Sequence, residues 1–565
     1  MSRPVSSIAL WAALLLAACA PAADQDSNLS VTVVGEGDTD HGLSARLAAE
    51  LRAATLISRD SGGNLVGGLA SSWRFVDQGR ILILRLRPVK WSDDRPLVAD
   101  EVVASFRRAA RPPAPHRGFR LAGVEGAAAN AAGRSTPRLG VLAPTSRVVE
   151  IRLEAPAPQL LDWLAEPGLS VRRLDLPTLS RYQTVKVDEK DAATGAPLRL
   201  ARLSEAPEPD TRPAEVTIAA TRDAAGAVAE FRRGAVDVVV GEGLAGLLEA
   251  RVQGRSNELR LDRLHGVYGW RINTRQGALA DPALRRLLAE RIDRAALVRS
   301  FGLAGIQPEA GLLPDSLRAA SPPPELAAAA TLPPGSVETA EAGGSGSAPL
   351  VAAPETPPAA LAPEVAPPPP DAPAPLLSPR AIVARAVATS APAALDAPPE
   401  TTSQPQPPSD SPLLTLRLLV PPGREHAQVA QRVAADWRSF GVQLVLVEAD
   451  AATRARLIAE GDFDLAVDDT SLPVPDAAAL LDRFRCGQGA YCNDAADALL
   501  AAARMVTADQ RPGQLAIVER VLREDPPFIG LFGAVRWALV SPRLEGWTSN
   551  QSGVHPLGRI GRAGR

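Results

Sequence analysis

Three cysteines and five histidines are the residues of this 565-residue chain best suited to metal, redox or nucleophilic chemistry, and their spacing excludes most of it. His41, His116, His265, His426 and His555 are far apart, with no HExxH and no CxxC pair, so zinc catalysis is not expected. Cys486 and Cys492 stand six residues apart in "RCGQGAYCN", with Gly487 and Gly489 between them. In an oxidising compartment that spacing suits a local disulfide; the alternative is two free thiols. The segment offers too few ligands for a metal site. No GxSxG, Walker-A loop or nucleophile-plus-histidine spacing occurs, and nothing argues for an enzyme or for a cofactor. Net charge is −3, and 58 of the 61 basic residues are arginine, which gives no reason to expect nucleic acid as a partner.

The third cysteine, Cys19, closes a leader. Arg3 supplies a positive charge, and Ile8 to Ala18 forms an apolar stretch too short to span a bilayer but shaped like a secretory signal. It ends in Leu16-Ala17-Ala18-Cys19, which resembles a bacterial lipobox, so residues 1–18 are expected to be removed and Cys19 to carry the lipid. Several acyl chains on one cysteine hold a domain at a membrane, whereas one chain binds marginally. Export also supplies the oxidising setting for Cys486 and Cys492.

The elements behind these residues alternate. "LSVTVVG" (29–35), "RILILRLRP" (80–88) and "RVVEIRLEAP" (147–156) read as strands. "AEVTIAA" (214–220), a helix over Ala224–Arg233 and "AVDVVVG" (235–241) read as a βαβ unit. A second run follows: "LLTLRLLV" (413–420), a helix over Arg424–Phe440, "VQLVLVEA" (442–449), a helix near Ala452–Glu460 and "FDLAVDD" (463–469). Such alternation indicates an α/β protein with helices packed on its sheets. Residues 321–412 differ: they hold 24 of the 53 prolines, mixed with Ala, Ser, Gly and Thr. That composition cannot bury enough apolar surface to fold, although "SPRAIVARAVATS" (378–390) has helical spacing. Because loop-closure entropy grows only with the logarithm of length, such an insertion is tolerated cheaply.

Four blocks carry a family resemblance. The first, "GGLASSWRFVDQGRILILRLRPVKWSDDRPLVADEVVASFRRA" (67–109), includes Leu69, Ala70, Trp73, Trp91, Ser92, Asp93, Pro96, Leu97, Ala99 and Val102; Asp94 stands where glycine is usual and Glu101 where aspartate is. The second (270–314) includes Asn273, Thr274, Asp281, Arg285, Ile292, Asp293, Arg294, Gly302 and Pro314. The third (441–467) contains a strand, a helix and "GDFD"; the fourth runs from "YCNDAADALL" (491–500) to "LEGWTSNQSG" (544–553). In order and spacing these resemble the peptide/nickel-type solute-binding proteins of ABC importers, extracytoplasmic family 5. Read physically, most of these residues are structural: Trp73 and Trp91 as core aromatics, Asp93 and Asp94 as turn formers, Asp293 as a cap, Gly461 as a helix stop.

The resemblance implies an α/β, two-lobed periplasmic-binding-protein-like fold with a hinge and a smaller inserted subdomain. Lobe I is expected from 19–50, 196–265 and 526–560, the inserted subdomain from 51–195, and lobe II from 266–320 and 413–525. Crossing strands near Asp262–Asn273 and Pro527–Leu539 form the hinge. It further implies a monomer, lipid-anchored in the periplasmic space, delivering a peptide or other small solute to an ABC permease without cofactor or metal. A degenerate member acting as an envelope scaffold, sensor or chaperone is the alternative. Peptide-binding members place an aspartate after the strand matching "FDLAV", where it holds the ligand's ammonium. Here Pro473 falls at that position and Thr470 where an aromatic is common. Asp468, Asp469 and Asp476 are near enough to substitute, and Asp468, Asp469, Thr470 and Trp270 are the expected ligand contacts.

Overall fold

The computed structural model describes residues 28–36, 42–110, 121, 123–127, 139–173, 179, 181–185, 196–203, 212–255, 257–318, 377–390, 412–507 and 509–562. The leader with Cys19 and most of the proline-rich insert lie outside the described residues.

Ten strands form the main sheet: β1 (Asn28–Val34), β2 (Tyr182–Thr184), β3 (Leu198–Arg202), β4 (Glu215–Thr221), β5 (Val238–Gly241), β6 (Leu259–Ile272), β7 (Leu414–Val420), β8 (Val442–Glu448), β9 (Leu465–Leu472) and β10 (Phe528–Val540). Their spatial order is β8-β7-β9-β6-β10-β5-β1-β4-β3-β2. β1 pairs in parallel with β4 and β5, and β7 with β8 and β9. Parallel strands are covered on both faces, and β5 accordingly reads as a buried run of valine. The two parallel trios lie on opposite sides of the long strands β6 and β10, which pair antiparallel with a register shift between Arg263 and Val267.

Strand alternation divides the core. Leu29, Val31 and Val33 of β1 face one layer with Leu47 and Val216, while Val34 faces the other. That second layer extends beneath both lobes, from Phe231 and Leu247 to Leu284, Val433 and Trp437. Trp270 is fully buried in it, its ring edge-on to Trp437 with centroids 5.6 Å apart. Each such buried aromatic or leucine contributes about 1.5–3 kcal/mol relative to exposure.

Residues 54–171 build a separate core beside the sheet. Ala70–Val76, Ile81–Leu86, Val148–Arg152 and Val141–Thr145 form an antiparallel sheet in that order. The helix Ala99–Ala109 packs Val102, Val103 and Phe106 into this core, with Asp100 and Glu101 in its first turn and Arg107 and Arg108 in its last, as the helix dipole favours. Glu101 accepts from the Val98 amide (3.1 Å) and from Trp91 Nε1 (2.8 Å), so this departure from the family pattern closes a cap and satisfies a buried indole. Trp91 is buried, Asp94 has a positive φ of 64° and Asp293 caps the helix Arg294–Phe301 through the Ala296 amide. Residues 379–390 are a helix whose Val383 and Ala386 are buried in the second layer of the main-sheet core.

Candidate functional site

In an open α/β sheet, ligands bind beyond the carboxyl ends of the parallel strands. Here β1 ends in Gly35-Glu36, β5 in Glu242-Gly243 and β7 in Pro421-Pro422-Gly423, and all three ends line one cavity of about 1160 Å³. The opposite wall is β9. On one side β9 pairs with β6 along its whole length; on the other, β7 reaches only Leu465 and Ala466. From Val467 to Ser471 that second edge has no strand partner among the described residues, and it lies in the cavity. An unpaired edge can accept an extended chain through main-chain hydrogen bonds.

Neighbouring aspartates on this strand have opposite surroundings. Asp468 Oδ2 accepts from Arg271 Nη2 (3.1 Å) and Nε (3.3 Å), and Oδ1 from Arg483 Nη1 (3.3 Å) and the Thr470 hydroxyl. Burial pushes the Asp468 carboxyl up, but Arg483 and Arg271 outweigh it and hold it below the usual value. Both oxygens are occupied, and Thr470 is spent on one of them. Asp469 has no side-chain hydrogen bond or ion pair among the described residues. Burial, then the neighbouring Asp468, push its carboxyl up to about 7; Arg536 opposes this and Glu242 adds to it.

The backbone makes room for these acids. A Cβ on Gly243, whose φ is +60°, would lie 2.2 Å from Asp469 Oδ2, and one on Gly35 would lie 2.4 Å from Glu242 Oε2. Only glycine lets the lobe I turns approach this closely. Glu242 Oε1 accepts from the Leu43 amide (3.2 Å) and meets no cation among the described residues. His426, at the start of the helix Arg424–Arg438, shares a 2.8 Å hydrogen bond between Nδ1 and the Tyr268 hydroxyl; burial lowers its pKa to about 4, so it is neutral at pH 7.

Of the four expected contacts, Asp468, Asp469 and Thr470 do line the cavity, but Trp270 does not. Its strand partner position sends it to the core layer, while Arg271, one residue on, reaches the cleft. Asp476 is also accounted for elsewhere, capping the helix Ala477–Leu481 through the Ala479 amide (3.0 Å) and accepting from Trp163 Nε1 (3.1 Å). The Pro473 carbonyl accepts from Arg59 Nη2 (3.2 Å). Cys486 and Cys492 are joined in a disulfide, in a loop held to lobe II by Thr274 Oγ1 on the Ala490 carbonyl (2.8 Å). Reading the sequence missed Glu242, Glu425 and His426. The available signal was the Gly-Glu-Gly turn directly after the buried β5, a strand end of the kind that faces ligands.

The fold is α/β and two-lobed, with a polar cleft lined by strand ends and one strand edge. The model of the bacterial extracellular solute-binding proteins, family 5, matches residues 64–198 and 207–491, and the chain belongs to that family. Among curated relatives, the probable deoxycholate-binding periplasmic protein YgiS of Escherichia coli is 35% identical over 119 residues, 20% of this chain and 22% of the relative. The periplasmic murein peptide-binding protein MppA of the same organism is 34% identical over 115 residues, 20% of this chain and 21% of the relative. The matched stretches thus span about a fifth of these relatives. Among solved structures, Haemophilus influenzae OppA in complex with the peptide RPPGFSPFR superposes with a TM-score of 0.68 at 17% identity, covering 95% of this chain and 99% of OppA. E. coli MppA gives 0.70 at 18% identity (96% and 99%), whereas its unliganded open form gives 0.59 at 18% identity (95% and 98%).

Proposed function

We propose that this protein captures a peptide or peptide-like solute bearing a free ammonium group and delivers it to an ABC permease, without chemistry on the ligand. The observation that carries this reading is Asp469, a cleft carboxyl group without a partner among the described residues, beside the β9 edge from Val467 to Ser471, which has no strand partner among them either. A main chain pairing with that edge would bring its ammonium group to Asp469, which would then ionise. The ion pair is specific because an unpaired charge in a water-poor cleft is costly. Asp468 organises the site by anchoring Arg271 and Arg483.

The lobe boundaries expected from the sequence, with the hinge at the register shift in β6, give the motion that closes the cleft. Lipid on Cys19 would hold a monomer at the membrane within reach of a permease. Calorimetry with trialanine and with N-acetyl-trialanine tests the reading. Binding of the free peptide and at least about tenfold weaker binding of the acetylated one are expected, as for a charge-assisted hydrogen bond. Heat from neither would end the peptide reading, and native mass spectrometry of the protein as purified would then identify what the cleft holds.

A further inference from the structure

Three contacts join the lobes directly across the cavity, away from the shared strands. Arg454 Nη2, on the helix Ala451–Glu460 of lobe II, meets Glu36 Oε1 of lobe I at 2.5 Å. Arg424 Nη2 of lobe II meets Glu249 Oε2 of lobe I at 3.1 Å. Beside the second pair, the Leu248 amide of lobe I donates to Glu425 Oε1 of lobe II at 3.1 Å.

The contacts are unequal. Arg424 is 77% exposed in its side chain, and an ion pair so open to water contributes little. Glu425 is only 5% exposed. Leu248 is the second residue of the helix Leu247–Gln253, where an amide has no partner within its own helix. Gly246, the residue before the helix, is left-handed and has no side chain to cap with. The donor is therefore satisfied by the opposite lobe. Opening the cleft separates a buried carboxylate and a helix amide that no other described side chain serves.

We infer that Glu425 is the clasp of the cleft: it stabilises the closed arrangement by accepting the Leu248 amide across the lobes, with Glu36–Arg454 as a second, half-buried fastening. This rests on the cleft being the binding site but not on the ligand being a peptide. Glu425 is a positioning residue, acting on the equilibrium between open and closed lobes.

The test is single-molecule energy transfer between dyes on Glu230→Cys in lobe I and Val445→Cys in lobe II, both exposed positions, in the full chain, with and without trialanine. Glu425→Ala should lower the closed-to-open ratio about tenfold, and the isosteric Glu425→Gln by less, because a neutral carbonyl is a weaker acceptor than a carboxylate. The open-state distance should stay as in the parent, which a misfolded or generally loosened variant would not show. If trialanine leaves every distribution unchanged while the variants still deplete the closed form, the peptide reading fails and the clasp stands. Closed populations equal in the parent, Glu425→Gln and Glu425→Ala would overturn the clasp, and so would a parent that never closes in either condition.

Discussion

Asp468 and Asp469 are adjacent in sequence, yet one is neutralised by two arginines and the other faces the cleft with no side-chain partner among the described residues. The second arrangement has a measurable cost. A folded carboxyl near 7 keeps its proton where the unfolded one, near 3.8, has lost it. Folded protein thus binds more protons in that window, and raising the pH from about 4 to about 8 erodes its stability through this group. Replacing Asp469 by Asn should therefore raise the melting temperature of unliganded protein at pH 8, with the gain vanishing near pH 4; differential scanning calorimetry across that range checks it. The same substitution should weaken trialanine binding about tenfold or more. In the parent, affinity should rise between about pH 6 and pH 8 with proton release near 7, since the bound ammonium favours the ionised carboxylate. Asp468→Asn acts differently: it leaves Arg271 and Arg483 unpaired in a buried position and should lower stability by about 3 kcal/mol or more. A loss of affinity in Asp469→Asn without loss of stability, against a clear loss of stability in Asp468→Asn, separates the two roles.

Among the elements, the strands were legible because each carries its own signal. Valine-rich runs marked β1 and β5 and a leucine-rich run marked β7, and their observed bounds fall within about three residues of the expected ones. The helix Pro379–Ser390 was visible in its spacing, and the structure adds what it packs against: Val383 and Ala386 enter the layer that also holds Leu284 and Leu288. Two changes to this part of the chain should thus differ sharply. Deleting residues 325–375 should leave the melting temperature nearly unchanged, because its composition offers little core to lose. Val383→Asp should lower stability by several kcal/mol, since it places a charge in an apolar layer (roughly the cost of an uncompensated buried ion). Thermal unfolding of both variants decides the matter, and equal losses would contradict it. Trp270 was misplaced for a reason of the same kind: in a strand, one residue's difference moves a side chain to the other face.

For the whole molecule, the expected leader would set location. Cys19→Ser should prevent lipid attachment and move the protein from the membrane to the soluble fraction, read by fractionation and intact mass; a variant that stays membrane-bound would contradict the lipobox. Among the described residues no helix is long and apolar enough to cross a membrane. Local patterns in the sequence were enough for the α/β class and the family, because periodicity, composition and motif order are properties of neighbours along the chain. The cleft is not such a property. Glu36, Glu242, Glu425 and Asp469 come from four distant stretches and meet only because three strand ends and one strand edge converge on a single cavity. Which aspartate is paired and which is free depends on Arg271 and Arg483, and the amide of Leu248 finds its acceptor 177 residues away. Long-range pairing and burial decide those charges, and they exist only once the lobes have packed.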